Sequence, residues 1–153
     1  MATLPKIVLN SDLREGLCFG CGRNNPIGLK LNFTRESDTL RAEFTPDTVH
    51  QGWPGVVHGG ILAALLDEAM SNAAFGEGIT CLTASLEMRL KKPAMVQEKL
   101  VVTARVTRNR KRLVETEASL CLEDGTVVAE GTAKQFVAEG EPNDTAREKR
   151  HGI

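Results

Sequence analysis

The sequence predicts an α+β fold in which one antiparallel sheet wraps a single long central helix. Three observations predict it. Two short segments that alternate apolar and polar residues, LKLNFTR and TLRAEFT, open the patterned part of the chain. One segment over 61–75, ILAALLDEAMSNAAF, is apolar apart from Asp67, Glu68, Ser71 and Asn72. Everything from Cys81 to Val137 then reads as strand, with no second helical pattern.

Each element follows from local signals. Residues 1–27 form a lead-in segment, with a short helix over 12–17 followed by the turn-prone CFGCGRNNP. The folded domain runs over 28–138. Its first two strands make a hairpin around the turn ESD, and the Gly/Pro/His-rich loop PDTVHQGWPGVVHGG leads from them into the helix. Four further strands are expected at 81–90, 100–107, 113–122 and 126–137, separated by the turn signals KKPAM, RNRK and EDG. The closing stretch, 139–153, is polar and charged without apolar period and reads as a flexible tail.

Length and composition narrow the function. A chain of 153 residues fits one domain. Nineteen basic residues against 20 acidic ones give no electrostatic footprint for nucleic acid. No apolar run approaches the ~20 residues of a membrane span, and MATLPKIVLN lacks the pattern of a secretory leader, so a cytoplasmic location is expected. In that reducing compartment Cys18, Cys21, Cys81 and Cys121 are read as thiols. With no Tyr and one Trp, large stacking surfaces are not available.

The helix carries the chemistry. Advancing ~100° per residue puts Leu62, Leu65, Leu66, Ala69 and Ala73 on one broad face. A helix apolar nearly all round must be covered on more than one side, and a single sheet covers one, so a second subunit is expected on the other. Asp67 points away from the Leu face, next to Ala63, Ala64, Met70 and Ser71, with no helical Lys or Arg to pair with it. It is either a working carboxylate or one that meets solvent or a neighbouring strand. Glu68, about 100° further round, is expected to be the solvated one. At the helix start, His58-Gly59-Gly60 presents unpaired N–H groups and the positive end of the dipole, and glycines there either let a carbonyl approach the backbone or serve a tight turn. Gly59 and Asp67 are eight residues apart, about 12 Å along a helix, which is too far for one reacting group. If both act, they come from opposite subunits of a two-fold dimer.

The stretch HQGWPGVVHGGILAALLDEAM followed by a run of strands resembles the hotdog-fold acyl-CoA thioesterases related to those of phenylacetic-acid degradation. The resemblance covers 29–137 and is most specific in His-Gly-Gly with an acidic residue nine positions after the His, here His58 to Asp67. CFGCGRNNPIGLKLNF is similar to the opening of a subgroup of the same proteins. The resemblance implies hydrolysis of an acyl-CoA thioester, with Asp67 as general base or nucleophile and the Gly59 N–H as oxyanion donor across the dimer interface. It implies Gln51 as helper of the water or carbonyl and Thr83 as the assisting hydroxyl, with Ser85 as the other option. It places His58 as a brace of the loop and, with Gly60 and Ser71, beside the substrate. The CoA phosphates are expected near Arg89, Lys91, Lys92 and Arg110, with Arg108 and Lys111 as further cations. A homodimer follows, with a homotetramer as its extension, and coenzyme A enters only as part of the substrate, with no other cofactor and no metal. Met70, Trp53, Phe75 and Met88 are candidate walls of the acyl pocket, whose small residues beside Asp67 leave room for an aryl or medium-chain group.

Two readings compete. A hotdog enoyl-thioester hydratase would pair His50 or His58 with Asp67 or Glu68, and a non-catalytic acyl-CoA-binding protein would share the fold without turnover. Cys18 and Cys21 form a CxxC, but no second CxxC or HxxxH completes a zinc site without borrowing His50 or His58, and Gly20, Gly22 and Pro26 argue against the helix of a redox motif. A reduced pair packing the lead-in loop is the expectation.

Overall fold

The computed structural model describes residues 16–139. The elements are β1 (Thr34–Glu36), β2 (Thr39–Phe44), a 3₁₀ turn (Thr48–His50), α1 (Gly59–Gly76), β3 (Cys81–Leu90), β4 (Leu100–Arg110), β5 (Leu113–Leu122) and β6 (Val127–Val137). The six strands make one sheet in the order β1-β2-β4-β5-β6-β3, with every neighbouring pair antiparallel. The short last turn before β6 and the tight β4–β5 connection give consecutive hairpins, whereas β3 crosses to the far edge of the sheet to pair with β6.

One face of the sheet packs on α1. Strands β4, β5 and β6 alternate as the sequence requires, with Leu100, Val102 and Ala104, then Val114, Ala118 and Leu120, then Val128 and Ala133 buried. They meet Leu62, Leu65, Leu66, Ala69 and Ala73 of α1, the face expected from the helical period, together with Met70. The opposite sheet face is polar and its charges pair with one another, as in Arg105–Glu117 at 2.6 Å. The helix begins where His58 Nδ1 accepts the Gly60 N–H at 2.9 Å, a side-chain cap for one of the orphan donors. It ends at Gly76, and Gly78 then turns the chain at a φ of 83°.

The beginning of the folded region differs from the expectation. Leu29 to Phe33 alternates as a strand would, with Leu29, Leu31 and Phe33 buried, yet β1 starts only at Thr34. The backbone of this segment pairs elsewhere: the Leu29 N–H donates to Phe19 O at 2.8 Å and the Leu31 N–H to Gly20 O at 2.9 Å, with Lys30 between them at a φ of 53°. The lead-in loop is therefore tied to the segment over 29–33, whose Leu29, Leu31 and Phe33 join the core around the helix. The expected helix over 12–17 begins outside the described residues, and its last two positions, Gly16 and Leu17, are non-helical. The polar tail lies outside them from 140 onward. Among the described residues no helix is long and apolar enough to cross a membrane.

Candidate active site

Asp67 sits in the middle of α1, half-buried, on the side that faces β3 rather than the Leu-lined core. Its partner is the neighbouring-strand hydroxyl: Thr83 Oγ1 donates to Asp67 Oδ1 at 2.6 Å. Thr83 is brought there by a bulge in β3, where the register with β6 shifts between Thr83 and Ser85. No ion pair among the described residues involves Asp67, and no hydrogen bond among them reaches its Oδ2. That oxygen is the one left for chemistry.

A buried amide orders this pair, and sequence reasoning missed it. Gln135 of β6 is fully buried, and its Nε2 donates to Ser71 Oγ at 2.9 Å and to Thr83 Oγ1 at 3.4 Å, while its Oε1 accepts from Thr116 at 3.4 Å. Both Gln135 N–H groups are therefore directed at hydroxyl oxygens. Thr83 accepts on one side and has a single proton to give, which goes to Asp67. A polar residue within TAKQFV, at a position where strand alternation demands the inward face, was the available signal.

The helix start presents a second feature. No hydrogen bond among the described residues uses the Gly59 N–H, and a Cβ placed on Gly59 would meet nothing within 4 Å. A Cβ on Gly60, by contrast, would press on the His58 imidazole at 3.0 Å. The His58 N–H also donates to His50 O at 2.9 Å, so His58 holds the loop to the helix at both of its polar ends. Gln51 lies in that loop, where its Oε1 accepts from the Gly55 N–H at 3.0 Å and braces the turn. His50 Nδ1 accepts from the Asp47 N–H at 2.9 Å.

The structure brings Asp67, Ser71 and Thr83 together and holds Gly59, Gly60, His58 and Gln51 two helical turns away. The cations divide further. Arg89, Lys91 and Lys92 lie at the far end of β3, where Lys91 is 3.8 Å from Glu130, about 20 Å along the strand from Thr83. Arg110 lies at the other end of the sheet, close to the row formed by Asn109, Val114, Gln135 and Thr83. Of the expected acyl-pocket walls, Met70 and Phe75 are buried, Met88 is half-buried, and Trp53 is 83% exposed in the loop before the helix.

Glu68 corrects an expectation. It is turned inward, not into solvent: Cys18 Sγ lies 3.6 Å from each of its carboxylate oxygens, and Asn72 Nδ2 donates to its Oε1 at 2.8 Å. Desolvation pushes the Glu68 carboxyl above the usual range. The hydrogen bond from Cys21 draws the Cys18 thiol down to about 5, and the same bond together with burial pushes the Cys21 thiol up. Helical geometry alone placed Glu68 at the rim of the Leu face. The lead-in loop then closes over that rim.

A six-stranded antiparallel sheet on one long helix, with a carboxylate at mid-helix and an open glycine N–H at its start, is the hotdog architecture. The family model described as Thioesterase superfamily matches residues 54–129, which include the helix and three strands, and the chain belongs to that superfamily. Among curated relatives, the acyl-coenzyme A thioesterase THEM4 of Mus musculus is 31% identical over 84 residues, covering 54% of this chain and 36% of that one. The chain thus spans about a third of the length of that relative. Among solved structures, the E. coli PaaI protein from the phenylacetic acid degradation operon superposes with a TM-score of 0.69 at 18% identity, covering 74% of this chain and 83% of that one. A hypothetical thioesterase protein of Streptococcus pneumoniae, solved with coenzyme A, has the same TM-score of 0.69 at 16% identity, covering 74% and 88%.

Proposed function

We propose that this protein hydrolyses acyl-CoA thioesters to free acid and CoA, as a cytoplasmic homodimer with two composite sites. The observation that carries the reading is Asp67: a half-buried carboxylate without an ion-pair partner, fixed through one oxygen by Thr83 and open at the other. The Gly59 N–H is the oxyanion donor, and because it lies about 12 Å from Asp67 along α1, the two meet only across a subunit boundary. Strand β3 supports that boundary. It is ten residues long, lies at the sheet edge with one side unpaired, and exposes Leu82 and Leu90 at 42% and 53%. A strand with those properties needs a partner, and a second copy pairing there would cover the Asp67 side of α1.

Asp67 either takes a proton from the water that attacks the carbonyl, or attacks the carbonyl itself to form a mixed anhydride that water then hydrolyses to the free acid and the Asp67 carboxylate; in both routes the thiolate of CoA leaves and takes up a proton. The curated relatives named as acyl-coenzyme A thioesterases and the neighbour solved with coenzyme A support the substrate class. That neighbour was also solved with an aspartate and a threonine, sixteen positions apart, each replaced by alanine, and Asp67 and Thr83 have the same separation. Arg110, one residue beyond the row of the site, and the Arg89–Lys92 cluster are the cations offered to the CoA phosphates, while the small residues Ala63, Ala64 and Ser71 beside Asp67 favour an aryl or medium-chain acyl group.

The test is thiol release from a panel of short, medium, long and aryl acyl-CoAs, comparing the native chain with Asp67→Asn. A fall of about 10²–10⁴-fold in the variant, with fold and dimer intact, is expected. No release from any member by the native protein sinks the proposal, and hydration of an enoyl-CoA without thiol release would put a lyase in its place.

A further inference from the structure

The lead-in loop contains a second cluster, on the other side of α1 from the hydroxyl pair. Cys18 Sγ, Cys21 Sγ and a Glu68 carboxylate oxygen all lie within 4.8 Å of one another, each side chain half-buried. Neither histidine considered from sequence joins it, and His50 and His58 accept hydrogen bonds at Nδ1 from Asp47 and Gly60. The third ligand is the acid that helical geometry had assigned to solvent.

We propose that Cys18, Cys21 and Glu68 bind one zinc ion that clamps the lead-in segment onto α1. Tetrahedral zinc with bonds of ~2.3 Å to sulfur and ~2.1 Å to oxygen sets its S and O ligands ~3.6 Å apart. Cys18 Sγ and the Glu68 oxygens stand at 3.6 Å. Two thiolates select a borderline-soft ion over magnesium or calcium.

The surroundings are built for these ligands. The Gly22 N–H closes the turn on Cys18 O at 2.8 Å, so the loop folds tightly around Cys18. A Cβ on Gly22 would strike Cys18 N and Gly16 O at 2.5 Å, and one on Gly20 would overlap the Glu68 carboxylate. Gly20 is thus explained by the closeness of the loop to its third ligand, and Gly22 by the tightness of the loop around Cys18. On the helix side, Asn72 is 1% exposed and its amide lies against Glu68, donating to the side-chain Oε1 at 2.8 Å and the backbone O at 2.9 Å. Such a donor orients a ligating carboxylate. The Asn72 Oδ1 is buried with no partner among the described residues, an acceptor left over for a water in the fourth coordination position.

A Cys18–Cys21 disulfide would employ the thiols but leave the Glu68 carboxylate with only the Asn72 amide for a partner. Zinc employs all four. On binding, the remaining thiol and carboxyl protons pass to solvent, and no oxidant is required.

The test uses the full chain, purified without an affinity tag that binds metal. Elemental analysis is expected to give about one zinc per chain in the native protein, and a small fraction of that in Cys18→Ser and Cys21→Ser. Asn72→Ala should retain the ligands and weaken zinc about 10–100-fold. To keep the test independent of how the cysteine variants fold, native protein stripped by a chelator under reductant is titrated with Co(II). Saturation at about one equivalent, with the intense thiolate-to-cobalt charge-transfer absorption, and a Tm that falls on stripping and returns with zinc, support the site. Substoichiometric zinc as isolated together with no cobalt uptake by the reduced protein overturns it. So does unchanged zinc content in Cys18→Ser and Cys21→Ser.

Discussion

Gly59→Ala separates the catalytic use of the helix start from its structural use. A methyl group at this position meets no atom of the chain within 4 Å, and the residue is the first of α1 with a φ that any amino acid adopts. The fold has no reason to resist it, and alanine in a helix is favoured over glycine by up to about 1 kcal/mol. The Tm should therefore hold or rise by up to about 4 °C in a domain of this size. In the proposed mechanism the thioester carbonyl enters this open space to reach the Gly59 N–H, so the same methyl group would displace the oxyanion from its donor. Loss of one such donor costs about 10²–10³-fold, or about 2.7–4 kcal/mol of transition-state stabilisation. We expect kcat/KM for acyl-CoA thiol release to fall at least about 100-fold while size-exclusion and Tm measurements remain native. Gly60→Ala is the control with the opposite signature. Its Cβ presses on the His58 imidazole at 3.0 Å, which should cost about 1 kcal/mol of cap and lower Tm by about 2–4 °C. Native turnover in Gly59→Ala would refute the assignment, and loss of turnover together with loss of the dimer would show that the glycine serves subunit packing instead.

The hydroxyl pair and the edge strand give further tests. Thr83→Val removes the donor 2.6 Å from Asp67 and should lower kcat about 10-fold or more with little change in Tm, and Thr83→Ser should restore most of it; an unaffected valine variant would show the bond is incidental. Gln135→Met fills the same buried space but strands the hydroxyls of Ser71, Thr83 and Thr116, so denaturant unfolding should register a loss of about 1–3 kcal/mol, and kcat should fall alongside. Leu82→Asp places a charge on the unpaired edge of β3, and light scattering should find monomer with turnover lost in parallel; a dimeric, active variant would move the interface elsewhere.

Much of the fold was legible because its signals are local. The apolar run over 61–75 contains enough period-3.6 pattern to place Leu62, Leu65, Leu66, Ala69 and Ala73 on the buried face, and β4 to β6 alternate cleanly because one sheet face is wet. Asp67 and Gly59 stood out for the same reason, as an unpaired acid and an uncapped N–H within one element. The misjudged features depend on contacts between distant segments. Leu29 to Phe33 carries a strand's alternation, but its hydrogen bonds go to the cysteine loop, a choice no local pattern records. Glu68 reads as solvated on a helical wheel and is buried because residues fifty positions earlier close over it. Gln135 sits on a strand more than sixty residues from Ser71, and only the sheet order joins them.

The order of donors and acceptors around Asp67 also explains why the polar cluster is built on a glutamine. Thr116 donates to Gln135 Oε1, which fixes the amide with both N–H groups toward α1 and β3. Each N–H occupies a hydroxyl oxygen, so the Thr83 proton has no competing acceptor and is committed to Asp67 Oδ1. A carboxylate at position 135 would accept that proton instead and leave Asp67 to rotate; an apolar residue would leave the bulge of β3 without a brace. With Oδ1 occupied, Oδ2 is held in one direction. A hydrolytic carboxylate needs that directional constraint, because the water or carbonyl it addresses arrives from a fixed side. A carboxylate kept only for solubility would have no need of a three-strand relay to aim it.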